Sequence, residues 1–161
     1  AVYAIRLLIL TATRTKEVIE ARFDEFDLEK KIWTIPEHKM KAGVEHKVPL
    51  CDEAIQIINF MRQKHNHEYV FHNKATGKHI SNGAMLVFLK KHYPQLKITV
   101  HGFRATFRTW AEEKGQYQHH AIEFCLAHQL PTKVDKAYLR TNLTNQRKTI
   151  MIDWEKYILS K

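Results

Sequence analysis

The sequence predicts an α+β domain, mainly helical, with one small antiparallel sheet near residues 22–49. Three observations carry that prediction. Apolar residues recur every three or four positions in several separate stretches, the interval at which a helix returns to one face. One stretch breaks the rhythm: Ile32-Trp33-Thr34-Ile35 is β-branched and aromatic and stops at Pro36, as a strand does. Finally, 161 residues, 44% hydrophobic and 27% charged, are enough for one domain with a real core.

Residues 2–10, almost wholly apolar, read as a core helix entered partway, so the chain is expected to be a fragment of a longer protein. Thr13 is a residue type that accepts a bond from a helix's free amides, and it predicts a second helix over Arg14 to Ala21. The strand at 32–35, a turn at Lys41-Ala42-Gly43 and a return strand at His46-Lys47-Val48 make the sheet. From Asp52 the period is helical again, with Ala54, Ile55, Ile58 and Met61 on one face. Residues 62–80 are polar and rich in histidine, a loop with a short strand at Tyr69-Val70-Phe71. Ser81 caps a helix carrying Met85, Phe88 and Leu89, which ends before Pro94. Helices follow over about 102–114, 117–126 and 133–139, the last opened by Thr132-x-x-Asp135 at capping-box spacing. A final helix, about 145–159, carries Ile150, Trp154 and Ile158 as an apolar stripe.

Composition narrows the partners. Lys and Arg number 26 against 17 Asp and Glu, a net charge of +9, which favours a polyanion because each cation docked on DNA releases condensed counterions. Cys51 and Cys125 stand far apart in apolar surroundings, which speaks for a reducing compartment and against a disulfide framework or a Cys-x-x-Cys zinc site. No apolar run is of membrane-spanning length. His65, His67, His72 and His79 lack the spacing of common zinc sites and read as part of a solvated loop. Lys74, Lys78, Lys90 and Lys91 serve DNA backbone contact or merely solubility.

The residues suited to chemistry fall in four places. His101-Gly102-Phe103-Arg104 sets an imidazole and a guanidinium one helical turn apart, a pair suited to a phosphodiester: the arginine forks onto two oxygens and the histidine moves a proton. Arg14 and Glu17 are spaced the same way. Leu126-Ala127-His128 adds an imidazole 24 residues after Arg104, and Tyr138 follows ten residues later. Each alone has an ordinary reading: a chance surface pair, an exposed ion pair of little worth, a helix-end histidine, a half-buried aromatic.

Taken together, the order Arg14, Lys41, His101-x-x-Arg104, His128, Tyr138 resembles the signature of the tyrosine recombinases of the phage-integrase kind. It is most similar to integrases of satellite phages and genomic islands, through His-Gly-Phe-Arg, Leu-Ala-His and the tail from Tyr138-Leu139-Arg140-Thr141 to Trp154 and Tyr157. The resemblance spans essentially the whole chain. It implies a tyrosine recombinase catalytic-domain fold, with residues 1–161 forming the C-terminal catalytic domain and N-terminal DNA-binding domains lying outside this sequence. It makes Arg14 the first catalytic arginine, Glu17 its support and Lys41 the hairpin lysine, chosen over Lys39 by its distance to Val48-Pro49-Leu50. His101, Arg104 and His128 complete the phosphate site, and Tyr138 is the nucleophile. Two departures stand out: Ala12 and Ala127 occupy positions where many relatives carry glycine.

The implied chemistry is cleavage and rejoining of double-stranded DNA at attachment sites through a 3′-phosphotyrosine. Bond energy is kept in that intermediate, so no cofactor is expected, and arginines take the place of metal ions. The implied assembly is a homotetramer on DNA and a monomer as a free fragment, in the bacterial cytoplasm and associated with the nucleoid. A type IB topoisomerase-like enzyme and a catalytically inactive DNA-binding module are the alternatives.

Overall fold

A computed structural model describes residues 1–128 and 142–160. The helix expected at 133–139, its Thr132-x-x-Asp135 cap and Tyr138 lie outside the described residues. Helix α1 (Val2–Thr11) buries Ala4, Ile5, Leu7, Leu8 and Leu10 and touches most of the other helices. A run this apolar has no polar face to give to solvent, so it belongs at the centre.

Helix α2 (Thr15–Ile19) is shorter than the sequence predicts. Its start is also capped differently. The Thr13 hydroxyl pairs with Thr11 at 2.8 Å, and the Glu17 carboxylate takes the Arg14 backbone N–H at 2.7 Å. The helix ends early because Ala21 and Arg22 turn to meet the segment at Glu68–Val70, where Arg22 forms an isolated bridge with Tyr69.

The sheet is antiparallel, in the order β1 (Phe26–Asp27), β2 (Ile32–Ile35), β3 (His46–Pro49). Trp33 pairs with Val48 and Ile35 with His46. Strand side chains alternate between faces, so Trp33 and Ile35, both fully buried, share the inner face with Val48 and with His46. Between β2 and β3 lies a 3-10 turn over Glu37–Lys39 and a reversal at Gly43, whose φ of +61° suits a residue without a β-carbon.

Helix α3 (Asp52–Lys64) packs on α1 through Ala54, Ile57 and Ile58, with Ile55 and Met61 at the rim of the contact. The expected strand at 69–71 is displaced to β4 (His72–Asn73), paired with β5 (Lys78–His79). Val70 and Phe71 instead drop into the core. Helix α4 (Ala84–His92) buries Met85 and Leu89; Ser81 closes the preceding turn through its carbonyl and does not cap with its hydroxyl.

Helices α5 (Gly102–Lys114), α6 (His119–Cys125) and α7 (Asn142–Leu159) form a second core with Phe107, Trp110, Ile122, Leu126, Ile150, Met151 and Trp154. The α7 stripe is thus covered by the chain's own domain, with Ile158 partly buried. Two polar ties secure it: Trp154 reaches α1, and the Glu155 carboxylate accepts the Glu53 backbone N–H at 2.6 Å. That second bond caps α3, whose own N-cap residue, Cys51, makes no side-chain cap.

Candidate active site

Two left-handed turns create the seat of Arg104. Helix α1 ends at Ala12, φ 50°, and α6 ends in a turn with Ala127 at φ 52°. In the α6 turn, His128 N donates to Glu123 O at 3.0 Å and Ala127 N to Phe124 O at 3.2 Å. These are the paired bonds of a Schellman motif, with Ala127 where glycine usually sits. Each turn leaves a backbone carbonyl facing inward. The Arg104 guanidinium donates to both, to Ala12 O and, at 2.8 Å, to Leu126 O. Arg104 is 5% exposed. Burial, and then the nearby Arg14, lower its pKa to about 10, so it stays cationic at neutral pH; Glu17 and Glu123 act in the other direction.

Arg14 stands beside it at the N-terminus of α2. Its guanidinium pairs with Glu17 Oε1 at 2.9 Å, and Glu17 is 2% exposed, so one buried carboxylate holds both the backbone and the side chain of Arg14. Arg14 remains partly open to solvent. Two adjacent guanidinium groups whose donors are only partly used among the described residues are suited to an anion.

His128 follows the α6 turn, half-exposed, with Nδ1 at 2.7 Å from Glu123 Oε2. Glu123 Oε1 is in turn 2.9 Å from Arg108 Nε, an ion pair without the alignment of a directed hydrogen bond. His101 sits at the N-cap of α5, exposed, and its carbonyl accepts the Arg104 N–H at 3.1 Å. The α5 cap itself comes from Thr99, whose hydroxyl takes Gly102 N–H at 3.0 Å; a β-carbon on Gly102 would stand 3.1 Å from that oxygen. Arg104 therefore turns inward while His101 faces solvent.

The two hairpin lysines part company. Lys39 Nζ is nearly buried, bonded to the Glu20 carbonyl at 2.7 Å and to the Glu25 carboxylate. Glu25 also takes the Trp33 indole N–H at 3.0 Å, so Lys39 and Glu25 brace the base of the hairpin. Lys41, in contrast, is exposed in the turn beyond.

Three groups at the site were not singled out from the sequence. His46 points inward from β3, 8% exposed, its Nε2 without a partner among the described residues. Burial first, then Arg147, Arg104 and Arg14, depress its pKa to about 3, against a backbone contact with Cys125. Arg147, on α7, donates to the Lys47 carbonyl next to it. Glu123 is the third. The signal for His46 was present: it alternates with Val48, so a strand facing Val48 inward must face His46 inward too.

The histidines of 65–79 gather against one another. The His65 and His67 rings lie 4.2 and 4.7 Å from His72, and Phe23 covers His65. Among the described residues only Glu112, His119 and Glu123 bring three potential metal ligands within 4.8 Å. Those atoms are already engaged, His119 with Glu112 at 2.7 Å and Glu123 with His128 and Arg108. No helix among the described residues is long and apolar enough to cross a membrane. Lys74, Lys78, Lys90 and Lys91 are all exposed.

Comparison with known proteins points the same way as the geometry. The profile described as the phage integrase family matches residues 2–145. Prophage integrase IntZ of Escherichia coli (strain K12) is 36% identical over 153 residues, 94% of this chain and 38% of that protein. The integrase of Enterobacteria phage P4 is 30% identical over 169 residues, again 94% of this chain and 38% of its own length. The chain therefore spans under half the length of these relatives. Among solved structures, XerA recombinase has a TM-score of 0.64 at 17% identity, covering 99% of this chain and 55% of that one. The Tn1549 transposon integrase, solved in complex with circular intermediate DNA, has a TM-score of 0.63 at 18% identity, covering 92% and 56%. At such identities the likeness is one of fold, and it agrees with the mainly helical α+β architecture.

Proposed function

We propose, for a chain that belongs to the phage integrase family, that it is the catalytic part of a site-specific DNA recombinase working through a 3′-phosphotyrosine. The observation that carries this reading is the neighbouring Arg14 and Arg104, each fixed from behind by carboxylate or carbonyl oxygens, with His128 at the turn that holds Arg104. A phosphodiester is anionic, and attack at phosphorus adds negative charge to its nonbridging oxygens. Preorganised guanidinium groups stabilise that charge without having to reorganise.

In this mechanism the Tyr138 oxygen bonds to phosphorus as the bond from phosphorus to the 5′ oxygen breaks. The tyrosine proton passes to His101, and Lys41, exposed at the hairpin, protonates the departing 5′ oxygen. A 5′-hydroxyl from another strand reverses the steps and rejoins the DNA. No external energy source is consumed, because one phosphodiester is exchanged for another. The substrates are double-stranded attachment sites, the DNA-bound assembly is a tetramer, and the setting is the bacterial cytoplasm at the nucleoid.

The test is a suicide substrate whose nick traps the covalent adduct. Wild-type protein should form it, with or without chelator, and Tyr138→Phe should lose it while still binding DNA. Mapping of the phosphorylated residue to Tyr117 or Tyr157, or a strict need for magnesium or zinc, would overturn the reading. Strand exchange between two marked duplexes separates a recombinase from a topoisomerase, which relaxes DNA alone.

A further inference from the structure

We infer that Glu123 is a positioning residue that fixes the ring orientation and tautomer of His128 and so leaves Nε2 as the nitrogen available to a docked phosphate. This rests on the recombinase reading above. In a Schellman motif the third residue from the helix end and the second residue beyond it are brought side by side, and an apolar pair usually packs there. In α6 those positions are Glu123 and His128. Their side chains meet as a carboxylate and an imidazole at 2.7 Å, with Glu123 only 8% exposed.

An ionised carboxylate can only accept. His128 Nδ1 must therefore carry a hydrogen, and Nε2 is the nitrogen left for anything else. In the neutral ring Nε2 offers a lone pair, which faces a phosphate oxygen unfavourably. In the imidazolium both nitrogens donate, one to Glu123 and one to the phosphate. The carboxylate holds the ring from behind in either state, as an acidic partner does behind a catalytic histidine.

Glu123 is itself placed by α5. Arg108 lies one turn after Arg104 on that helix and pairs with Glu123 Oε1 at 2.9 Å. Helix α5 thus grips the α6 turn twice, through Arg104 on the Leu126 carbonyl and through Arg108 on Glu123. The second grip sets His128 relative to the arginine that binds the same phosphate. Among the described residues, Arg104, with Arg14 and Glu17 beyond it, and Glu112 with His119 also stand near Glu123.

The test uses two readouts on wild type, Glu123→Ala and Glu123→Gln. Long-range proton–nitrogen correlation on nitrogen-15-labelled histidine reports which His128 nitrogen carries the hydrogen. Wild type should be protonated at Nδ1; Glu123→Ala should lose that preference; Glu123→Gln, whose amide oxygen still accepts, should keep it. Adduct formation on the suicide substrate should fall about 10- to 100-fold in Glu123→Ala. Glu123→Gln, which can still hold the Nδ1 hydrogen, should recover most of the rate lost in Glu123→Ala. A structural role alone would lower the rate without changing which His128 nitrogen carries the hydrogen. A wild-type ring protonated at Nε2, or a Glu123→Ala protein with wild-type tautomer and rate, overturns the inference. If the tautomers behave as expected and wild type forms no adduct, the recombinase reading falls, and with it the catalytic use of the pair.

Discussion

Trp154 donates its indole N–H to the Ile9 carbonyl at 2.7 Å, joining the last helix to the first across nearly the whole chain. The indole is 2% exposed and packs against Phe107, Trp110 and Tyr157. Trp154→Ala should therefore cost about 3–5 kcal/mol, the range for deleting a large buried aromatic. Trp154→Phe should cost less, having lost one hydrogen bond and part of the ring. Urea unfolding measures both. Because the stripe is already covered in cis, wild type should sediment as a monomer without DNA; a stable DNA-free tetramer would contradict this.

The hairpin lysines should separate by phenotype. Lys41→Ala should fold normally, cleave poorly, and recover on a 5′-bridging phosphorothiolate, where the leaving group needs no proton. Lys39→Ala should instead leave Glu25 buried without its cation and lose about 3 kcal/mol of stability, with no selective rescue. Rescue of Lys39→Ala and not Lys41→Ala would reverse the assignment.

Ala12 pairs a left-handed backbone with complete burial. Glycine there relieves roughly 1 kcal/mol of strain and loses a buried methyl and some unfolded-state restriction, each worth about as much. Ala12→Gly should cost no more than about 1 kcal/mol, the net of one gain and two losses, whereas Ala12→Val, β-branched at positive φ, should cost more than about 2 kcal/mol. Denaturation midpoints decide it, and a valine variant as stable as wild type would falsify the account of this turn.

His46 predicts a pH dependence. Its folded pKa is depressed to about 3 from an ordinary 6.5, so below 6.5 the unfolded chain binds the proton more readily. The stability it contributes is complete above that pH and is lost as the pH falls from 6.5 toward 3, by at most about 1.4 kcal/mol per unit. His46→Gln should flatten that part of the stability profile relative to wild type. Parallel profiles for the two proteins would rule the effect out.

What the sequence made legible follows from what is local. Arg14 with Glu17, and His101 with Arg104, lie within one helical turn, and their spacing together with the order of Lys41, His128 and Tyr138 brought them forward. The sheet was visible because Ile32–Ile35 is bounded and β-branched. What escaped was set at a distance. Thr13 is a sound capping residue, yet Glu17 took the role because it also neutralises Arg14 in a buried setting. Lys41 was preferred to Lys39 by its distance to Val48-Pro49-Leu50, but the Glu25 carboxylate that engages Lys39 lies 14 residues away and had no local signal. Glu123 and His128 are five residues apart, an interval with no helical meaning until the chain reverses through Ala127.

Among the described residues, the hydrogen bonds of the Arg104 guanidinium go to two carbonyls of the main chain. A point mutation can remove a carboxylate, but every residue carries a carbonyl. Unseating Arg104 from these two acceptors takes a change that shifts the backbone at Ala12 or Leu126, or loss of the arginine itself. Around that anchor the neighbouring side chains are at liberty to drift, so sequences that have diverged widely can keep one guanidinium aimed at the same point in space.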